Sequence, residues 1–218
     1  MFLLDVRVSI EPEYDAALNE WYHTHVPRLV SLPGYESGRR YVGASRGPRY
    51  AALYEIKSAI YLPRLLGENH SQREPLTLSE WSEWDARFVR HMTHGSTNLY
   101  DAGECDQLLL GDWPIVEFRF DGGNADDLRT LCGRALPTEA RASPVAASFL
   151  KKASQDDVQW LNTRPEHLVI LQSHDLEAAL ALAEDDRLRI ALTERGAQDI
   201  EAVVYTQIAR HWRIPSAP

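Results

Sequence analysis

Hydrophobic and polar residues alternate strictly at the start of the chain, over residues 2–10. The positions on one side are all aliphatic: Leu4, Val6, Val8 and Ile10. The positions on the other side are polar: Asp5, Arg7 and Ser9. A period of two residues predicts a β-strand with one fully apolar face.

The pattern then changes to a helical period. Glu11-Pro12-Glu13 predicts a helix start, because proline suits the first helical position and acidic residues suit the positive end of the helix dipole. Residues at helical spacing follow as far as a stop at Pro33-Gly34: Tyr14, Leu18, Trp21, His25 and Leu29. We expect this stripe to face the sheet.

Four further elements complete the first half of the chain. Residues 37–45 and 49–57 read as a β-hairpin around a turn-rich Ser45–Pro48 segment. A second helix is predicted from Thr77 and Glu80, which have the spacing of a capping box. Its apolar stripe is Trp81, Trp84 and Phe88. Residues 94–101 are predicted to form the closing strand.

The second half repeats this order. A shift of 110 residues, the gap between residues 6 and 116, aligns Val6–Ile10 with Val116–Phe120. The same shift pairs helix positions without a gap: Leu18 with Leu128, Trp21 with Leu131, Val26 with Leu136, and Pro27 with Pro137. The predicted elements are strand 114–120, helix 124–135, strands 145–152 and 166–173, a helical region 175–195 broken near Asp185-Asp186, and strand 200–209.

These elements predict an α+β fold of two tandem ferredoxin-like β-α-β-β-α-β units, residues 1–104 and 114–218, joined by a linker at 105–113. The helices cover one face of each antiparallel sheet, so the bare faces would pack together into an intramolecular α+β barrel. Covalent linkage would then replace dimerisation. Polar residues of the two first strands would meet inside, and Arg7–Glu117 and Asp5–Arg119 are the expected pairs.

Composition narrows the function. The formal net charge is −9, which disfavours nucleic acid and anionic lipid as partners. No signal-peptide core or membrane-spanning run occurs, so we expect a cytoplasmic protein. Cys105 and Cys132 lack a CxxC pattern and are interpreted as reduced structural thiols. The phosphate-binding glycine motifs of nucleotide cofactors are absent from the sequence.

One segment resembles a known family. The motifs that carry the resemblance are Asn19–Pro27, Leu32–Gly34, Gly38–Tyr41 and Tyr50–Glu55. They resemble motifs of the dimeric α+β barrel superfamily, and within it of the EthD-like proteins. The resemblance covers about the first 60 residues and implies the barrel fold. It does not select an activity, because the superfamily includes cyclases, isomerases, cofactor-free monooxygenases and haem enzymes. The second copy has Ala135 and Leu131 in place of His25 and Trp21, so one site, in the first half, is expected.

Candidate site residues follow from the helix and the strands. His25, four residues after Trp21 on one helical face, is the candidate general acid or base, and Tyr54 and Tyr22 are the candidate oxygen-stabilising groups. The expected substrate-binding residues are Trp21, Tyr41, Arg40 and His94. The structural alternatives are a core histidine bonded to a backbone carbonyl and core aromatic residues on the strands. His23 points away from His25 and is expected to be solvated.

Three functions remain open at this level. The first is a cofactor-independent enzyme that acts on a small hydrophobic or aromatic carbonyl compound by cyclisation, isomerisation, dehydration or decarboxylation, in catabolism or biosynthesis. The second is a small-molecule-binding accessory protein without catalysis, and the third is a haem protein with a histidine ligand. A metal site at His25, His91 and His94 is not predicted, because no carboxylate or cysteine has ligand spacing. The dimeric α+β barrel superfamily also allows a homodimer.

Overall fold

The computed structural model describes residues 1–103, 108–109, 111–131, 146–153 and 161–212. Eight antiparallel strands close into one barrel, in the order β1-β3-β2-β8-β5-β7-β6-β4. The strands are β1 Phe2–Ile10, β2 Tyr35–Gly43, β3 Tyr50–Ile56, β4 Met92–Asp101, β5 Ile115–Asp121, β6 Ala146–Lys152, β7 His167–Gln172 and β8 Gln198–Trp212. Because one chain supplies all eight strands, the barrel needs no second copy to close.

Helices cover the outside of the barrel. The described helices are α1 Asp15–Val30, α2 Leu62–Leu65, α3 Pro75–Arg87, α4 Ala125–Thr130, α5 Leu176–Ala183 and α6 Asp186–Thr193. Helix α1 packs on the first-half strands through Leu18, Val26 and Val30, in one hydrophobic cluster with Leu4 and Val8. A second cluster lies under α4 to α6, around Phe118 and Leu182. The predicted α+β barrel is confirmed in this coarse form.

The strand order is the same in both halves. Read from β4, the first four strands are ordered β4-β1-β3-β2 and the last four β8-β5-β7-β6. The halves meet where β2 pairs with β8 and where β4 pairs with β6. Among the described residues, none of the helices is both long and apolar enough to cross a membrane.

Most predicted elements match to within two residues, and the differences have local causes. Helix α1 continues through Pro27 to Val30 and ends shortly before the predicted stop at Pro33-Gly34. The loss of one backbone donor at proline is tolerated here near the end of the helix. The chain then turns at Gly34, whose φ of +107° favours a residue without Cβ.

The predicted capping box of α3 is wrong. The helix begins at Pro75 with Glu74 as its N-cap, and no side chain caps it. Thr77 and Glu80 therefore lie inside the helix, and both are buried. Proline at the first helical position moves the start two residues ahead of Thr77. The short helix α2 was not predicted.

Charged side chains fill part of the barrel interior. Arg7 donates from Nη2 to Glu117 on β5, across the barrel, and from Nε to Asp5 at 2.5 Å. All three side chains are completely buried. The expected Arg7–Glu117 pair is therefore present, whereas Arg119 pairs with Glu201 rather than with Asp5. Burial raises the pKa of Glu117 to about 7, although Arg7 opposes this effect.

The described part of the predicted linker enters the end of the barrel. The Glu55 carboxylate accepts hydrogen bonds from the backbone N–H groups of Leu108 and Leu109, at 2.7 and 3.1 Å. Arg39 donates to the backbone carbonyls of Leu109 and Gly111. These buried charges are satisfied by backbone groups, so this segment packs inside the fold. Cys105 and Cys132 lie outside the described residues.

Candidate active site

A cavity of about 200 Å³ lies between α1, α3 and the outer face of the first-half strands. Six aromatic side chains line it: Trp21, Tyr22, Tyr35, Tyr54, Trp81 and Trp84. Leu4 and Val6 of β1 supply apolar floor, and the polar lining includes His25, Thr77 and Glu80. A concave, mainly apolar site with few convergent polar groups is typical of a small-molecule pocket.

His25 and Glu80 form a buried pair in this cavity. Nδ1 of His25 lies 2.6 Å from Oε2 of Glu80, and the two residues are 8% and 1% exposed. The other carboxylate oxygen of Glu80 is 2.8 Å from Nη1 of Arg28, whose side chain is about half exposed. A carboxylate that accepts from Nδ1–H holds the proton there and leaves Nε2 as the basic nitrogen.

The imidazole of His25 is also fixed by stacking. The Trp21 ring lies against it at a centroid distance of 3.9 Å and an interplanar angle of 20°, as the spacing of four residues on one helix permits. Burial lowers the pKa of His25 below its ordinary value, and the hydrogen bond to Glu80 offsets only part of that effect. A lowered pKa favours the neutral imidazole, which is the form that can accept a proton.

Two hydroxyl groups in the cavity wall have no hydrogen-bond partner among the described residues: Tyr54 Oη and Thr77 Oγ1. Both residues are 2% exposed. A threonine hydroxyl inside a helix can donate to the helical carbonyl four residues earlier. Thr77 lies in the first turn of α3, so the helix does not offer it such a carbonyl. Burial raises the pKa of Tyr54 well above its ordinary value, which keeps the phenol protonated as a donor. A buried polar group without a partner is costly, so each hydroxyl is a candidate donor to a ligand oxygen.

Tyr22 contacts both the cavity and a buried arginine. Tyr22 lines the cavity, and burial raises its pKa to about 12. The guanidinium carbon of Arg40 lies 3.9 Å from the centroid of the Tyr22 ring. Arg40 does not itself line the cavity; its Nη1 donates to Asn19 Oδ1 at 2.9 Å.

The structure brings together some predicted site residues and separates others. His25, Tyr54, Tyr22 and Trp21 share the cavity. Tyr41 does not, because it lies next to Arg40 on β2 and so faces the barrel interior, where it joins the inner hydrophobic cluster. His94 also lies elsewhere: it is exposed on β4.

The other histidines do not join His25. His23 is exposed, as expected. His91 bonds to Glu11 at 2.9 Å and stacks on Tyr14. No group of three histidine, cysteine, aspartate or glutamate side chains suited to a metal ion occurs among the described residues.

Sequence reasoning missed Glu80 and Thr77 as site residues. The available signal was their position: Thr77, Glu80 and Trp84 are spaced by three and four residues, so they share one face of α3. Two polar residues on a helix face that is otherwise aromatic and turned inward indicate a cavity with polar groups in its lining. In the second half, Leu131 is buried in the hydrophobic cluster under the helices, while Ala135, the counterpart of His25, lies outside the described residues.

No protein-family model and no curated protein sequence matches the chain. Its fold, in contrast, matches solved structures along nearly its whole length. An anthrone oxidase-like protein is 14% identical, with 100% of this chain and 96% of that chain covered and a TM-score of 0.62. A proposed monooxygenase from Fusobacterium nucleatum is 7% identical, with 97% and 94% covered and a TM-score of 0.62.

A haem-binding protein from Thermus thermophilus is 11% identical, with 95% of this chain and 91% of that chain covered and a TM-score of 0.50. At such low identities the similarity concerns architecture alone. The chain therefore shares the α+β barrel fold of these proteins.

Proposed function

We propose that the protein is a cofactor-independent enzyme that removes a proton from a carbon atom next to the carbonyl group of a small aromatic or hydrophobic compound. The observation that carries this proposal is the 2.6 Å contact of His25 Nδ1 with buried Glu80, in the same cavity as the unpartnered Tyr54 hydroxyl. A base oriented by a carboxylate, opposite a donor for an oxyanion, is the arrangement that enolisation requires.

The chemical step is balanced without a cofactor. The C–H bond breaks, its proton moves to Nε2 of His25, and its electron pair becomes the enolate of the substrate. The enolate oxygen accepts hydrogen bonds from Tyr54 and Thr77. Cyclisation, isomerisation, dehydration and decarboxylation can each begin or end with such an enolate, so the proposal names the step that these reactions share.

Cavity size and the similar structures support this substrate class. An engineered cavity of about 150 Å³ in another protein binds benzene, so about 200 Å³ suits a compound of one or two rings. One similar structure is described as anthrone oxidase-like. Anthrone has a CH₂ group that is acidic because its anion is delocalised onto the carbonyl oxygen, which is the property proposed for the substrate here.

The first-half cavity does not fit haem, the ligand named for one similar structure. Pockets for drug-sized ligands have about 300–1,000 Å³, and haem is at least as large as such ligands. The cavity has about 200 Å³, and Trp21 covers one face of the His25 ring. These dimensions support the proposal of a cofactor-independent role for this cavity.

A binding protein without catalysis is the second candidate function, and one experiment separates it from the first. 2-Tetralone has an acidic CH₂ group between its aromatic ring and its carbonyl. The enzyme is expected to accelerate exchange of these protons for deuterium in D₂O, measured by NMR, and to saturate with ketone. Saturable binding of 2-tetralone with exchange at the buffer rate would contradict the enzyme and support the binding protein.

The Tyr54→Phe variant separates a ligand-binding role from a packing role. Removing a buried hydroxyl that has no partner is expected to raise the free energy of unfolding by about 1 kcal/mol. The same change should weaken binding of 2-naphthol, a planar analogue of the enol of 2-tetralone, by about tenfold. Urea unfolding and calorimetric titration measure the two effects. Loss of stability with unchanged affinity would show that Tyr54 is a core residue.

The pH dependence of exchange follows from the lowered pKa of His25. Only the neutral imidazole can accept the proton, so enzymatic exchange, corrected for the buffer rate, should be constant near pH 7. It should then fall as the pH drops through the pKa of His25, below the ordinary value of about 6.5. Initial rates between pH 5 and 8 test this. A rate that increases as the pH falls would contradict the role of His25 as a base.

We also propose that the barrel consists of two diverged units, residues 1–104 and 114–218, linked by 105–113. The shared strand order of the two halves and the 110-residue sequence offset support this proposal. Selection on one cavity would explain why the first unit has His25 and Trp21 where the second has Ala135 and Leu131.

A further inference from the structure

Arg40 is a buried cation without a carboxylate partner. The residue is 3% exposed, and no aspartate or glutamate among the described residues lies within ion-pair distance of it. Its Nη1 donates to the neutral Asn19 amide, while Nε and Nη2 have no hydrogen-bond partner among those residues. Asp15 opposes the lowering of the Arg40 pKa by burial, but it is paired with Arg49 at 2.8 Å. A buried charge is costly unless it is compensated, so this position requires an explanation.

The guanidinium group lies directly behind the cavity wall. It stacks on the Tyr22 ring at 3.9 Å and faces the Tyr50 ring at 5.0 Å. Tyr22 also lines the cavity, together with His25 and Tyr54. The positive charge therefore lies against one ring of the cavity wall. Arg40 itself is buried, and a buried charge is screened less than one in water.

We infer that Arg40 makes the cavity selective for ligands that carry or develop a negative charge on oxygen: enolates, phenolates and compounds that ionise to them. This inference rests on the proposed function and names the electrostatic property of its substrates. The compensating charge for Arg40 is then the reacting ligand itself, which is present only during binding and turnover. A charge that is fixed in advance of the reaction stabilises a developing anion without the cost of reorganisation.

Titration of bound 4-nitrophenol tests the inference, because its phenol and phenolate forms differ in colour. Burial alone raises the pKa of a phenol, since it disfavours the anion. In the wild-type cavity we expect the opposite: the bound probe should ionise about one pH unit lower than the free probe, which equals about tenfold tighter binding of phenolate. A bound pKa equal to or above that of the free probe would overturn the inference, whatever any variant shows.

Two variants assign the effect to Arg40. Arg40→Met keeps the length of the side chain and removes its charge, and should abolish the lowering of the probe pKa; Arg40→Lys should retain much of it. Arg46→Met is the control, because Arg46 is an exposed arginine in the turn that joins β2 and β3. Equal lowering in Arg40→Met and in wild type would contradict the inference.

Other charged groups face the same cavity and must be separated from Arg40. Glu80 and Asp85 line the cavity and oppose an anion there, Arg28 approaches through Glu80, and His25 could accept the proton of the probe. The titration is therefore repeated in His25→Asn, where the preference for phenolate should persist. Because the titration needs no turnover, its result is independent of deuterium exchange. Exchange at the buffer rate with phenolate preferred would contradict the proposed function alone.

Discussion

Replacing His25 with asparagine is expected to lower enzymatic deuterium exchange into 2-tetralone by about 10²–10⁴-fold, the usual contribution of a positioned acid or base. Asparagine preserves hydrogen bonding to Glu80 but cannot accept the substrate proton. Affinity for 2-naphthol should change much less, because the aromatic wall and the Tyr54 hydroxyl remain. Exchange rates with saturating ketone and calorimetric titration separate the two effects.

The chain offers a matched control for this variant. His23 lies on the same helix, two residues away, and is exposed, so His23→Asn should exchange at the wild-type rate. If His25→Asn and wild type exchanged equally fast, His25 would be a core residue that pairs with Glu80 for stability alone. A buried His–Glu pair can serve that role. The exchange rate, rather than the geometry, therefore distinguishes a catalytic His25 from a structural one.

Removing the barrel arginine has the largest expected effect on stability. Arg7→Ala leaves Asp5 and Glu117 buried with no guanidinium between them, and breaking a buried pair in this way typically costs about 3–5 kcal/mol. Urea unfolding at pH 8 measures this difference in the free energy of unfolding. Arg46→Ala, at an exposed arginine, is the control and should stay within about 0.5 kcal/mol of wild type.

The loss in Arg7→Ala should depend on pH in a defined direction. The pKa of Glu117 is already raised by burial to about 7, and without Arg7 it would rise further. A raised pKa means that the folded protein retains the proton, so stability is lost as the pH increases through that pKa. The variant should therefore be closer to wild type at pH 5.5 than at pH 8. An equal loss at both pH values would show that Glu117 is not the group left unpaired.

The sequence predicts those parts of the structure that depend on local periodicity. The alternation in residues 2–10 correctly assigns Arg7 to the face opposite Leu4, and the four-residue spacing of Trp21 and His25 correctly stacks their rings. The same parity rule shows that Arg40 and Tyr41, adjacent on β2, cannot both face α1. Sequence alone does not say which of them does, because that depends on register with β3.

What the sequence cannot supply is the proximity of distant elements. Glu80 is 55 residues from His25, and only the packing of α3 against α1 brings them together. In the sequence, Thr77 and Glu80 resemble a capping box, since the same spacing serves a helix start and an inward helix face. His94 illustrates the converse: its place at the head of the last first-half strand suggests a pocket, but the side chain is exposed there.

The central claim, that the α1–α3 cavity binds the enol form of a carbonyl compound, is tested most directly by a crystal structure with 2-naphthol. We predict that the naphthol lies between the cavity aromatic residues, with its oxygen within hydrogen-bond distance of the Tyr54 hydroxyl and its ring edge beside His25. Binding of 2-naphthol elsewhere, with the cavity closed around its own side chains, would contradict the account.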